Sequence, residues 1–336
     1  MTKSVIKTTL AIALSASSLN AFSSVLDNTD IVHKGPGFSA KMNIGALKVN
    51  GRDIAPWAFS VTAGTGGIFI VNDGLKIKYD LTADFSNAIN DNDDLTWTQG
   101  NVNGGINDDV YVRDAKITVI TDYGIVLLAP RTGSGQWEQV YGEVDTFEYN
   151  RFHSQTGDIA MFGQPEQTTD LFVYATPRIE GFQFGTSVVT TNEQNGVDRD
   201  IWTNRLTYKY QDLYIAGSHT IMKAGSLPTN EDYTRSALSA SYDFGIVKLA
   251  GVYEVDTDHP TGDWDSYAAN AEFRINPNWT LKTAYAEKDH DIDSFDRSGF
   301  VLGVDRHFGE NIKFFIETGQ YDDAPDNIAL GVGVKL

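Results

Sequence analysis

The sequence has 336 residues, with no cysteine, 31 glycines, 15 tyrosines, 18 phenylalanines and 6 tryptophans, and it carries 45 acidic against 26 basic side chains for a net charge of −19. Without cysteine there is no disulfide framework, thiol nucleophile or cysteine metal site, and the acidity argues against a nucleic-acid partner, whose phosphates it would repel. A hydrophobic content of 41% is too high for a disordered chain, and no apolar run beyond the N-terminus is long enough for a polytopic helical membrane protein.

Residues 1–21 read as a secretory signal peptide. Lys3 and Lys7 form a basic start, residues 8–19 a short apolar stretch, and Leu19-Asn20-Ala21 offers a small residue at the cut. The apolar stretch is too short to span a bilayer as a helix. Residues 22–336 are then an exported chain, and nothing later in it stops transfer.

From Gly37 onward, segments of roughly ten residues alternate apolar and polar side chains, the period-two signature of a strand with two unlike faces. Sixteen such segments are predicted: 37–48, 56–63, 74–86, 110–121, 124–129, 169–177, 181–191, 200–210, 213–222, 233–243, 246–256, 264–275, 279–288, 299–307, 312–320 and 327–336. Leu238, Ala240 and Tyr242 oppose Ser239, Ser241 and Asp243, and Tyr267, Ala269, Ala271 and Phe273 oppose Ser266, Asn270, Glu272 and Arg274. In the last segment, Ile328, Leu330, Val332 and Val334 oppose Ala329, Gly331, Gly333 and Lys335. The apolar faces tend to begin or end in Tyr, Trp or Phe, which suit a membrane–water boundary. The opposite faces hold charges of both signs, which a dry sandwich core would bury only at large cost and an aqueous lumen tolerates.

Short connections such as Asp122-Tyr123-Gly124, Gln211-Asp212, Phe244-Gly245 and Asn276-Pro277-Asn278 carry turn chemistry, and they alternate with long ones. Short turns at one end and long loops at the other, with an even strand count that leaves no edge in lipid, predict an all-β fold: a 16-stranded antiparallel transmembrane β-barrel wide enough for an aqueous channel. The connection at residues 130–168 is far longer than an ordinary loop. Its Trp137, Tyr141, Phe147, Tyr149, Phe152, Met161 and Phe162 carry too much apolar surface for a solvated tail, so it is expected to pack inside the barrel.

The chain resembles the Gram-negative general porins of the trimeric, sixteen-stranded kind over essentially all of residues 22–336. The resemblance is carried by Asn72-Asp73-Gly74-Leu75-Lys76, by Asp122-Tyr123-Gly124-Ile125-Val126 before the long connection, by Tyr174-Ala175-Thr176-Pro177 with Gly181-Phe182, and by Tyr242-Asp243-Phe244-Gly245. It implies that residues 130–168 are a constriction loop folded into the lumen, its acids facing a basic cluster on the wall. It further implies an outer-membrane location, a homotrimer, a lipid bilayer and lipopolysaccharide as surroundings, small hydrophilic solutes and ions as cargo, and no cofactor. Three features depart from the family pattern. Pro-Glu-Phe-Gly is absent from the loop, the chain ends in Leu336 instead of phenylalanine, and residues 56–63 hold no arginine.

The acids Glu138, Glu143, Asp145 and Glu148 are the candidates for the negative side of a constriction, and Lys41, Arg113 and Arg131 for its basic wall. Strict alternation puts Arg113 on the face of Ala115, Ile117 and Val119, so a lumenal Arg113 requires a bulge or a place at the rim. These features predict passive, cation-preferring diffusion. Trp57, Trp97 and Trp137 would instead stack on sugar rings in a saccharide-selective channel. Asp289, Asp291 and Asp293 have the early spacing of a calcium loop, but Ser294 and Phe300 break the pattern. No metalloprotease histidine pair or serine-hydrolase elbow appears, so no metal and no enzymatic activity are expected.

Overall fold

A computed structural model describes residues 31–90, 110–133, 135–152, 161–190, 200–224, 231–322 and 324–336. The predicted signal peptide, residues 1–21, and Trp97 lie outside that set. Sixteen antiparallel strands close into a barrel, each paired with its neighbours in chain order and β1 with β16. They are β1 Val32–Val49, β2 Ala55–Asn72, β3 Leu75–Asp84, β4 Tyr111–Thr121, β5 Gly124–Gly133, β6 Gln167–Ala175, β7 Phe182–Val189 and β8 Ile201–Tyr210. The second half comprises β9 Leu213–Met222, β10 Tyr233–Asp243, β11 Val247–Thr257, β12 Trp264–Asn276, β13 Trp279–His290, β14 Arg297–Phe308, β15 Ile312–Tyr321 and β16 Asn327–Lys335. Each predicted segment corresponds to one strand.

The apolar rows look outward. On β14, Phe300 and Leu302 are 43% and 39% exposed while Val301 between them is fully buried, and β10 and β16 repeat the pattern. Exposed aliphatic and aromatic rows around a closed barrel are the surface that acyl chains cover. The inner faces carry Ser239, Ser241, Glu254, Asn270, Lys282, Asp305 and Glu317, all buried.

The short turns gather at one end of the barrel. Gly245 (φ 86°) and Gly309 (φ 67°) occupy the left-handed region there, where a side chain would be strained. The strand ends that the long connections join, such as Asp84 and Tyr111 or Gly133 and Gln167, lie at the other end.

The first two strands exceed their predicted lengths most. Gly64, Gly66 and Gly67 look like the end of a strand in the sequence, yet β2 runs on to Asn72. These glycines allow close packing. A Cβ on Gly67 would lie 2.6 Å from the Tyr79 hydroxyl, and Phe69 beside it stacks on His33 at 4.2 Å. β1 begins at Val32, ahead of its predicted start at Gly37, with a register irregularity between Lys34 and Gly37.

The connection from β5 to β6 folds into the barrel and packs against the inner wall. Its π-helical turn, Trp137–Tyr141, buries Trp137, Val140 and Tyr141. The two rings stack at 4.8 Å, and Phe162 meets Tyr141 edge-on at 5.2 Å. The wall accommodates these rings because its inward positions are small: Ala216, Ala237, Ala268, Ala284 and Ala286 join Trp137, Tyr141, Val144 and Phe147 in one apolar cluster. Farther along, Tyr149 joins Leu47, Trp57, Phe59 and Phe315 in a second cluster.

Candidate pore constriction

Polar anchors fix the loop to the wall of β9 to β15. The Glu317 carboxylate accepts backbone N–H bonds from Glu148 at 2.7 Å, Tyr149 at 3.1 Å and Asn150 at 3.5 Å. Lys282 donates to the Thr146 carbonyl at 2.8 Å, and Tyr214 to the Gln139 carbonyl at 2.9 Å. Glu254, fully buried on β11, accepts from the Tyr141 hydroxyl and from Gly163 N–H. Arg235 lies beside it, 2.8 Å from Asp256 and 3.6 Å from Glu254. Buried charges are tolerable here because each has an opposite charge or several donors in reach.

The four predicted loop acids occupy three kinds of place. The Asp145 side chain is fully buried and staples the loop to itself, accepting from Arg151 Nη2 at 2.7 Å, Trp137 Nε1 at 3.2 Å and Phe152 N–H at 3.1 Å. Glu143 and Glu148 bind wall bases. Glu143 pairs with Lys248, and Glu148 with Lys313, Lys41 and Asn43. Burial alone would raise the Glu148 carboxyl, but Lys313 and Lys41 hold it down at about 2. Glu138, on the π-helical turn, is exposed.

Of the predicted bases, Lys41 reaches Glu148 from β1 at 3.5 Å. Arg113 turns inward because β3 and β4 slip register between Thr82 and Ala83, the bulge that alternation requires, and it contacts Glu166 at 3.0 Å and Asp84 at 3.7 Å. Arg131 lies over the Tyr111 ring, 5.3 Å from its centre, with Gln167 at 3.5 Å. Trp57 and Trp137, 7% and 2% exposed, pack in the two clusters and offer no free ring face.

The strand pattern places Lys248, Glu254, Lys282 and Arg205 on polar faces but does not reveal what they meet. Lys248, Glu254 and Lys282 bind Glu143, Gly163 and Thr146, all on a loop whose path the periodicity does not encode. Lys313, Glu317 and Arg235 escape notice in the sequence, although each falls on an inward position of its strand. On the inner face of β7 and β8, Gln183, Thr203, Arg205 and Thr207 alternate with lipid-facing Phe184, Trp202 and Leu206; Thr207 is buried there. Arg205 has no carboxylate within ion-pair distance among the described residues. No group of three His, Asp or Glu among those residues could hold a metal ion. His259, in the connection after β11, packs on Trp264 at 4.5 Å, and burial together with Arg235 and Lys288 pushes it down to about 4.

Residues 8–326 match the family of Gram-negative porins. No curated protein sequence matches the chain. Among solved structures, it is similar to an anion-selective porin from Comamonas acidovorans, at 14% identity and a TM-score of 0.70, covering 91% of this chain and 100% of that one. It is also similar to OmpF of Salmonella typhi in complex with daunomycin, at 12% identity and a TM-score of 0.71, over 92% and 98% of the two chains. OmpT of Vibrio cholerae, an outer membrane protein in trimer form, aligns at 15% identity and a TM-score of 0.62 over 91% and 98%. At these identities the likeness is one of fold.

Proposed function

The chain belongs to the Gram-negative porin family, an outer-membrane β-barrel, and we propose that it is a water-filled channel for passive diffusion of ions and small hydrophilic solutes that prefers cations. The observation that supports this reading best is the inner wall. Charges of both signs line it, while the in-folded loop is held by polar contacts to β9, β13 and β15 and to Lys41 and Asn43 of β1, and the inward face of β7 and β8, with Gln183, Thr203 and Arg205, is hydrophilic. Solutes then cross between that face and the loop, and bore and fixed charge decide what passes. No energy coupling, cofactor or catalytic step is assigned; the family match supports that.

The cation preference rests on the net charge of −19, on exposed Glu138 and on the acids of the long connections. The constriction itself is close to charge-balanced, because Glu143, Asp145 and Glu148 are matched by Lys248, Arg151, Lys313 and Lys41. Strong anion selectivity is therefore not expected, and the cation preference should be modest. We extend to this chain the homotrimeric state of the solved trimer, with the exposed apolar rows meeting acyl chains and neighbouring protomers, and the long connections meeting lipopolysaccharide. A saccharide-selective reading has no support from Trp57 or Trp137, both buried.

Purified protein in a planar bilayer tests the reading. Stepwise openings and a KCl-gradient reversal potential of the cation-selective sign are expected. Silence would remove the channel, and a chloride-selective sign would remove the preference.

A further inference from the structure

Charge is unevenly distributed along the barrel axis. At the end of the long connections, Asp263, Asp291, Asp296 and Asp326 accept hydrogen bonds from backbone N–H groups, and Asp322 from the Ser298 hydroxyl. Such bonds satisfy a carboxylate but leave its charge in place, and none of these acids has a cationic partner among the described residues. The inner wall toward the short turns is the reverse. Lys76, Arg205, Lys209 and Lys335 stand at inward positions of β3, β8 and β16 with no ion pair among the described residues. Arg178, from the turn after β6, lies along the same wall, donating to Gln183 and Thr207 at 3.3 Å and to the Gly181 carbonyl at 2.7 Å, all neutral acceptors. Two acids of that stretch are paired, Asp243 with Arg274 at 2.8 Å and Asp305 with Lys282 at 3.1 Å, and Glu272 sits in register between Lys248 and Lys282, which bind Glu143 and Asp305. The remaining acids of that end, such as Asp122, Asp212 and Glu310, lie in the turns beyond the strands.

We propose that this pore is electrically polar along its axis and rectifies, passing more current when the mouth of the long connections is at the positive potential. The proposal rests on the channel reading above. Cations concentrate at the acidic mouth and anions along the basic wall, because fixed charge enriches its counter-ions. A voltage of the stated sign drives both populations toward the middle, where they accumulate and raise conductance. The opposite voltage draws both away and depletes the middle. The effect depends on how far the fixed charges reach, and the screening length shrinks from about 10 Å at ~0.1 M salt to about 3 Å at ~1 M, so the asymmetry belongs to dilute salt. Multivalent anions should for the same reason enter more readily from the short-turn side.

Single-channel current at equal and opposite voltages in symmetric KCl tests this. Orientation is fixed with Ser294→Cys, a unique thiol in a chain without cysteine, biotinylated on the exposed β13–β14 connection and bound by streptavidin from one side. The expected ratio of currents, long-connection side positive over negative, exceeds one in ~0.1 M KCl and falls to one in ~1 M. Removing the basic side with Arg178→Gln and Arg205→Gln should bring the low-salt ratio toward one in channels that still open. A ratio of one in dilute salt, a ratio of the opposite sense, or a low-salt asymmetry that survives the double substitution would each overturn the proposal. Channels that never open would overturn the channel reading instead, and this proposal with it.

Discussion

Glu148 holds the middle of the loop to the wall, surrounded by Lys313, Lys41 and Asn43, with its own N–H on Glu317. Its carboxyl is held at about 2, below the ordinary 4.5. A depressed acid stabilises the folded state above its free value and loses that contribution as pH falls through the folded value. The Glu148 anchor should therefore be at full strength above pH 4.5 and fade as pH approaches 2. Glu148→Gln is expected to lower stability by about 2 kcal/mol at neutral pH, the scale of hydrogen bonds to a charged group, with the deficit vanishing toward pH 2. Unfolding in detergent across that range would show it, and equal stability of the two proteins at neutral pH would contradict it. Arg113 gives the residue-scale lesson about the sequence. Alternation alone puts it among lipid-facing neighbours, and only the bulge opposite Thr82 and Ala83 turns it to Glu166. A one-residue slip of that kind leaves no trace in composition or period.

At the scale of elements, the strands are legible because period two and turn chemistry agree. Asp122-Tyr123-Gly124 and Phe244-Gly245 close hairpins where they are expected, and Leu238 and Ser239 face opposite sides as their polarity requires. The sequence suggests too short a β2 because glycine weakens a strand in general, whereas Gly64, Gly66 and Gly67 serve its close approach to β3. That the long loop folds inward follows from its aromatic content, but its seat does not. The seat is a set of alanines on four separate strands, Ala216 on β9, Ala237 on β10, Ala268 on β12, and Ala284 and Ala286 on β13, with Val252 of β11 in the same cluster. Each is an ordinary residue in its own segment, and only closure of the barrel gathers them. Enlarging one of them tests the seat. Ala284→Leu should cost about 1–3 kcal/mol by overpacking. It should also push the loop toward the β6 to β8 face, so that each open channel carries less current. Unchanged current and unchanged stability together would contradict this placement of the loop.

Over the whole molecule, the net charge of −19 read as a single number points to cation preference. The fold separates that charge into an acidic mouth, a loop whose acids are largely matched, and a basic inner wall, a distribution that no count of residues contains. The central claim is that polar strand faces line water while apolar faces meet lipid. Because the chain has no cysteine, single cysteines along β8 test it directly during channel recording. With a charged, membrane-impermeant thiol reagent, Thr203→Cys, Arg205→Cys and Lys209→Cys should react and change the open-channel current, while Trp202→Cys and Leu206→Cys should not. Reaction at Trp202→Cys and Leu206→Cys with silence at the other three positions would contradict the account.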